Sequence, residues 1–244
     1  MSAADRPVAA GDSRVAIVTG ASRGLGAGLV SAFRGIGYSV LATSRSMDSS
    51  DDPQIATVSG DIGDPDTARR VVACALERFG RIDSLINNAG VFIGRPFLDY
   101  TLDDFATVTA VNLAGFFHMT QHAIAAMLER GAGHVVNIST SVVEDPESAH
   151  PAALASLTKG GLAAVTRSLA IEYASRGIRA NAVSLGVIRT STSDPDSYAE
   201  SAALHPLGRV GEIGDVTDGI LYLERAPFVT GEILHIDGGQ SAGH

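Results

Sequence analysis

Val15-Ala16-Ile17-Val18 runs straight into Thr19-Gly20-Ala21-Ser22-Arg23-Gly24-Leu25-Gly26, and a helical pattern continues from about Leu25 to Arg34. A short apolar run, a glycine turn and a helix, in that order, are the opening unit of a parallel sheet with crossover helices. The glycines allow a tight turn and let backbone amides approach a pyrophosphate at the helix N-terminus. Their spacing is GxxxGxG rather than GxGxxG, so the strand–turn–helix context carries more weight than the glycines themselves.

The alternation continues to the end of the chain. Tyr38–Thr43 reads as a second strand and Ile55–Val58 as a weaker third. Asp64-Pro65-Asp66 opens a helix that runs to Phe79 and stops at Gly80, with acids and proline where a helix N-terminus favours them. Ile82–Ile86, His134–Ile138, Ile178–Val183 and Glu232–Ile236 read as strands. Between them lie helical stretches over Leu102–Arg130, broken once, over Ala152–Ser175 and over Glu212–Glu224. Short apolar strands alternating with helices imply an α/β, doubly wound domain with a parallel sheet of about seven strands, covered on both faces. No linker or repeat divides residues 14–244, and residues 1–13 read as a flexible tail. In such a fold ligands sit beyond the carboxyl ends of the strands.

Composition narrows the function. Eighteen basic against 27 acidic residues leave a net charge of −9, which argues against a nucleic-acid binder. The single cysteine, Cys74, excludes an internal disulfide and a cysteine zinc site, and fits a reducing, cytoplasmic setting. No run approaches the ~20 apolar residues of a membrane span. His118 and His122 stand four apart on a helix, but no acid accompanies them in HExxH form, so no metal is expected.

Further motifs appear in order: Asn87-Asn88-Ala89-Gly90, Val111-Asn112, Asn137-Ile138-Ser139-Thr140-Ser141, Arg179-Ala180-Asn181-Ala182-Val183, Gly186-Val187-Ile188-Arg189-Thr190, Pro206-Leu207-Gly208-Arg209, Val229-Thr230-Gly231 and Asp237-Gly238-Gly239. With the glycine turn they make the chain resemble the short-chain dehydrogenase/reductase family from Ser13 to Gly239, in a pattern similar to 3-oxoacyl carrier-protein reductases. The resemblance implies a single Rossmann-like domain and a nicotinamide dinucleotide. It implies cofactor contacts from Gly20, Ser22, Arg23, Gly24, Leu25, Gly26, Ala89, Gly90 and Gly186. It gives Asp61 to the adenine, Asn88 to the adenosine ribose region, and Ile188 and Thr190 to the nicotinamide side.

An NAD enzyme places a carboxylate about 20 residues past the glycine turn. Here the second strand ends Thr43-Ser44-Arg45, with Arg45 19 residues after Gly26 and Arg23 inside the turn. Two guanidinium groups suit a 2′-phosphate, so the expected cofactor is NADP(H).

The family's catalytic set is an asparagine, a serine, a tyrosine and a lysine. Asn112 matches the first and Lys159 the last, where it would hold the nicotinamide ribose. Thr140 fits the serine spacing, with Ser141 close behind. The tyrosine, one helical turn before the lysine, is replaced by Ala155. Tyr173 lies 14 residues past Lys159, ~21 Å along a helix, and cannot substitute. His150 is an alternative acid, and a water held by Lys159 another. Thr140 and Ala155 are separated by two residues more than the family spacing, and Leu185 stands where the family has proline before Gly186.

Two readings fit this pattern. One is an NADP(H)-dependent oxidoreductase acting on a small carbonyl, imine or activated double bond with a non-standard proton donor. The other is a dinucleotide-binding or regulatory protein with impaired turnover. The apolar residues around the Ala152–Ser175 helix, Leu154, Leu157, Leu162, Val165 and Leu169, exceed what one sheet face can cover. They imply a homo-oligomer, a tetramer by the family's habit.

Overall fold

A computed structural model describes residues 13–146, 151–190 and 197–243. Seven parallel strands form one sheet in the order β3-β2-β1-β4-β5-β6-β7. They are β1 (Val15–Thr19), β2 (Ser39–Ser44), β3 (Ile55–Ser59), β4 (Ser84–Asn87), β5 (Gly133–Thr140), β6 (Ile178–Leu185) and β7 (Ile233–Ile236). The helices are α1 (Gly24–Gly35), α2 (Pro65–Phe79), α3 (Leu102–Thr109), α4 (Phe116–Leu128), α5 (Ala153–Tyr173), α6 (Ser197–Ala202) and α7 (Ile213–Arg225).

The sheet is apolar on both faces because helices cover both. On one, Ile17, Leu41, Leu85 and Val135 pack with Val71, Ala75, Met119 and Met127 from α2 and α4. On the other, Val18, Val40, Ile86 and Val136 meet Leu29 and Phe33 of α1 and Val216 and Ile220 of α7. The strand order reverses between β1 and β4, so the carboxyl ends of these neighbours open a crevice there.

Several boundaries move. The fourth strand starts at Ser84 rather than Ile82, after the Arg81–Asp83 ion pair. β6 extends through Leu185, which pairs with Thr140 and Ile236. Leucine at 185 keeps a backbone N–H that proline would lack. The long helical region over Leu102–Arg130 is α3 and α4 joined by one widened, π-type turn over Ala110–Gly115. The short helix α6 has no counterpart in the sequence reading.

At the opposite, amino-terminal end of the sheet lies a buried polar group. The Glu224 carboxylate accepts from Tyr38 Oη at 2.6 Å, Ser84 Oγ at 2.9 Å and His134 Nδ1 at 2.8 Å. Burial alone raises Glu224, but these donors, His134 first, bring it down to about 2. Burial pushes His134 below its usual range, and Asn181 Nδ2 donates to its Nε2 at 3.0 Å, which fixes a neutral imidazole with its proton on Nδ1.

Candidate active site

The glycine turn closes on itself. A Cβ at Gly26 would lie 2.0 Å from the Gly20 carbonyl oxygen, and one at Gly20 would lie 2.9 Å from Ala89 Cα. Gly20 and Gly24 have φ of 66° and 54°, a region that glycine enters without strain. The turn is braced from β4: Asn88 Nδ2 donates to the Thr19 carbonyl at 2.9 Å and the Gly20 carbonyl at 3.2 Å. The Asn88 and Ala89 amides both donate to Thr19 Oγ1. Asn88 therefore shapes the turn itself.

The mouth of α1 fits a phosphate. Arg23 caps the helix without a side-chain hydrogen bond, and no acid lies in the first turn, so its N–H groups and partial positive charge face outward. Beside it, Thr43 Oγ1 at the end of β2 is buried with no hydrogen-bond partner, a polar atom that a ligand would satisfy. Ser22, Arg23 and Arg45 are exposed around this mouth. Asp61, also exposed, accepts from the Gly63 amide at 2.9 Å through Oδ1. These positions suit an adenine dinucleotide with an additional phosphate.

The catalytic candidates gather at the other side of the crevice. The widened turn aims Asn112 inward, where its Oδ1 accepts from the Val91 amide at 2.8 Å. Its Nδ2 donates to the Val91 carbonyl at 3.0 Å and to Thr158 Oγ1 at 3.1 Å. One side chain thus joins the α3–α4 turn, the loop after β4 and α5. Lys159 leaves α5 toward β5, and its Nζ donates to the Ile138 carbonyl at 2.7 Å. A Cβ on Gly90 would stand 3.0 Å from Nζ, so glycine there leaves room for the ammonium. Burial lowers Lys159 to about 8.

The two hydroxyl candidates part ways. Ser141 is buried and donates to Gln240 Oε1 at 2.9 Å, toward the C-terminal segment. Thr140, half-buried at the tip of β5, is the one left beside the crevice. Ser139, part of the Asn137–Ser141 motif but given no role there, donates to the Lys159 carbonyl at 3.3 Å and fastens α5 to β5. Ala155 lies one turn before Lys159 and is 2% exposed. His150 lies outside the described residues.

Gly186, Ile188 and Thr190 come after β6 as expected. Gly186 is held to glycine by His205: a Cβ would lie 2.5 Å from His205 Nε2. Ile188 bridges to Gly211, and Thr190 rests against Gly24, whose Cβ would lie 3.5 Å from Thr190 Cβ. The sequence reading missed His205 and Tyr198, the side chains that grip this loop. No motif marks them, because their role comes from a six-residue helix and the turn after it, too short to leave a period. Among the described residues, no group of three His, Cys, Asp or Glu side chains is placed to hold a metal ion. No helix described is long and apolar enough to cross a membrane.

A doubly wound parallel sheet, a glycine turn under an uncapped helix, and an inward lysine and asparagine define a Rossmann-like oxidoreductase scaffold. The chain belongs to the short-chain dehydrogenase/reductase family: a family model described as enoyl-(acyl carrier protein) reductase matches residues 20–241. The chain is 34% identical over 242 residues to glucose 1-dehydrogenase of Gluconobacter oxydans, covering 91% of this chain and 90% of that one. It is 35% identical over 239 residues to L-xylulose reductase of Mesocricetus auratus, covering 93% and 96% of the two chains. It is 34% identical over 241 residues to carbonyl reductase (NADPH) 2 of Sus scrofa, again covering 93% and 96%. Among solved structures it is similar to ElxO with NADP bound, at TM-score 0.88 and 28% identity, over 95% of this chain and 100% of that one.

Proposed function

We propose that this protein is an NADP(H)-dependent oxidoreductase acting on a small carbonyl, imine or activated double bond, with a proton donor other than the family tyrosine. The observation that carries the reading is Lys159, a largely buried ammonium with no carboxylate beside it among the described residues, held between Ile138 and Gly90 under an open phosphate-binding turn. A buried charge without a counter-charge is costly, and a ligand that hydrogen-bonds to it accounts for its place. The NADP- and NADPH-bound ElxO structures and the porcine carbonyl reductase support the cofactor.

In this reading Gly20, Ser22, Gly24, Leu25 and Gly26 hold the pyrophosphate, while Arg23 and Arg45 take the 2′-phosphate. Asp61 meets the adenine, Asn88 walls the adenosine ribose side, and Ala89 and Gly90 line the cofactor from there toward Lys159. Lys159 holds the nicotinamide ribose, with Gly186, Ile188 and Thr190 beside the ring. When bound, the cofactor supplies or accepts a hydride at nicotinamide C4. The chain's residues do the rest. Thr140 donates to the substrate's heteroatom and orients it. Asn112 fixes the loop after β4 through Val91, which keeps Gly90 against Lys159. Ala155 offers no acid, so the proton reaches the substrate from the Lys159 side through ordered water. An imine already carrying its proton, or a conjugated double bond, asks less of this relay than a ketone does.

The protein works as a cytoplasmic homotetramer in this reading. Leu154 and Leu162 face the core, but Leu157 on α5 is 60% exposed, Phe117 on α4 is 55% exposed, and Ile171 on α5 is 83% exposed. Exposed apolar side chains of this size support burial against a second copy.

The test is NADPH consumption against matched ketone, cyclic imine and enone panels. Turnover of imines or enones well above ketones is expected. Ordinary ketone rates would refute the altered proton donor, and NADPH binding with no turnover on any class would favour the impaired, regulatory reading.

A further inference from the structure

We propose that Tyr198 is a positioning residue for the nicotinamide end of the cofactor, acting through the main chain of Thr190. The inference rests on the NADP(H) reading of the crevice and adds a residue to it.

Tyr198 lies on α6 and is 6% exposed. Its hydroxyl accepts from the Thr190 amide at 3.1 Å and donates to the Thr190 carbonyl at 2.9 Å. Both polar groups of one residue's backbone are thus read by one phenol. The ring is covered by the Arg189 guanidinium, 4.4 Å from its centroid. Arg189 is fixed in turn by Glu212 at 2.9 Å, and its amide donates to the Gly211 carbonyl at 2.7 Å. A cation over the ring face adds attraction and holds the phenol's direction.

The other end of the same segment is held from the far side of α6. His205, 3% exposed, donates from Nδ1 to the Ser201 carbonyl at 2.8 Å and accepts from the Val187 amide at Nε2, at 3.0 Å. Residues 187–190 are therefore gripped at both ends by side chains on and just after α6, while Thr190 abuts Gly24 of the glycine turn. The phenol sets where the Thr190 backbone stands relative to that turn. Phenylalanine would preserve the packing and lose only this placement. That separates a positioning role from a filling one.

Tyr198→Phe is the variant, with Tyr222→Phe, half-exposed on α7, as control. In cofactor-free protein, amide hydrogen exchange in the peptide spanning Thr190 should accelerate, with the melting temperature close to wild type. The NADPH dissociation constant should rise about 3–10-fold, the equivalent of one net hydrogen bond. Binding of 2′,5′-ADP, which has the adenine end and no nicotinamide, should be unchanged. Equal losses for both ligands would reduce Tyr198 to a structural residue and overturn the proposal, as would unaltered NADPH affinity. Wild-type protein that binds neither ligand would sink the cofactor reading and this inference together.

Discussion

Lys159 Nζ donates to the Ile138 carbonyl at 2.7 Å, with burial holding the ammonium at about 8 and no carboxylate among the described residues in reach to restore it. The folded protein holds this proton less tightly than the unfolded chain does. Below about 8 the group destabilises the fold, and the cost disappears as pH rises from about 8 toward 10.5. Lys159→Met should therefore stabilise the cofactor-free protein at neutral pH, by roughly 1–3 kcal/mol, and flatten the rise in stability through that alkaline window. Urea unfolding at pH 7 and pH 10 measures both. The same variant should lose NADPH-dependent turnover by at least tenfold.

Glu224 gives the opposite pH dependence. Its folded carboxyl sits at about 2 against an ordinary 4.5, so its stabilisation is full above 4.5 and is lost as pH falls from there toward 2. His134, kept neutral by burial, adds a decline that begins as pH drops below about 6.5. Glu224→Gln leaves the buried donors of Tyr38, Ser84 and His134 with a poorer acceptor. It should cost roughly 1–3 kcal/mol at pH 7 and remove most of the slope between pH 4.5 and pH 3. Denaturation midpoints across pH 3–7 would show it, and an unchanged acid slope in the variant would refute the assignment.

Arg45 should decide cofactor choice. In Arg45→Ala, NADPH binding should weaken about 10–100-fold, the scale of a lost charge-assisted hydrogen bond, while NADH binding stays within about twofold. Isothermal titration with the two cofactors is the measurement. A loss shared equally by both would assign Arg45 to general electrostatics instead.

Phe117 and Leu157, both more than half exposed on α4 and α5, should be buried in the assembled protein. Phe117→Asp places a charge in that interface, so light scattering at micromolar concentration should show smaller particles than wild type, with the fold retained by circular dichroism. A wild-type monomer under those conditions would remove the oligomer from the proposal.

The sheet was legible in the sequence because its signal is local. Val15–Val18, Val40–Ala42 and Ile178–Val183 are dense in apolar residues, and glycine or a polar turn closes each. The glycine turn located the crevice. Motif spacing marked Asn112 and Lys159 as candidates, but gave no reason for Asn112 to face inward: a widened turn needs no special residue and resembles ordinary helix in sequence. Sequence spacing alone does not separate Thr140 from Ser141, because the acceptor of the Ser141 hydrogen bond is Gln240, 99 residues further on. Tyr198 and His205 stayed hidden for the same reason, since only tertiary contact gives them a role.

The widened turn at Ala110–Gly115 carries a consequence for any attempt to idealise this chain. Rewinding it as regular helix without changing its length would give an uninterrupted helix from Leu102 to Leu128. With the extra residue wound in rather than bulged, the α3 side would turn by about 100° relative to the α4 side. Either Asn112 would swing away from Val91 and Thr158, or Met119, Ala123 and Met127 would rotate off the sheet. The irregularity is a phase correction between two faces that must both point inward, and the straighter helix would be the less functional one.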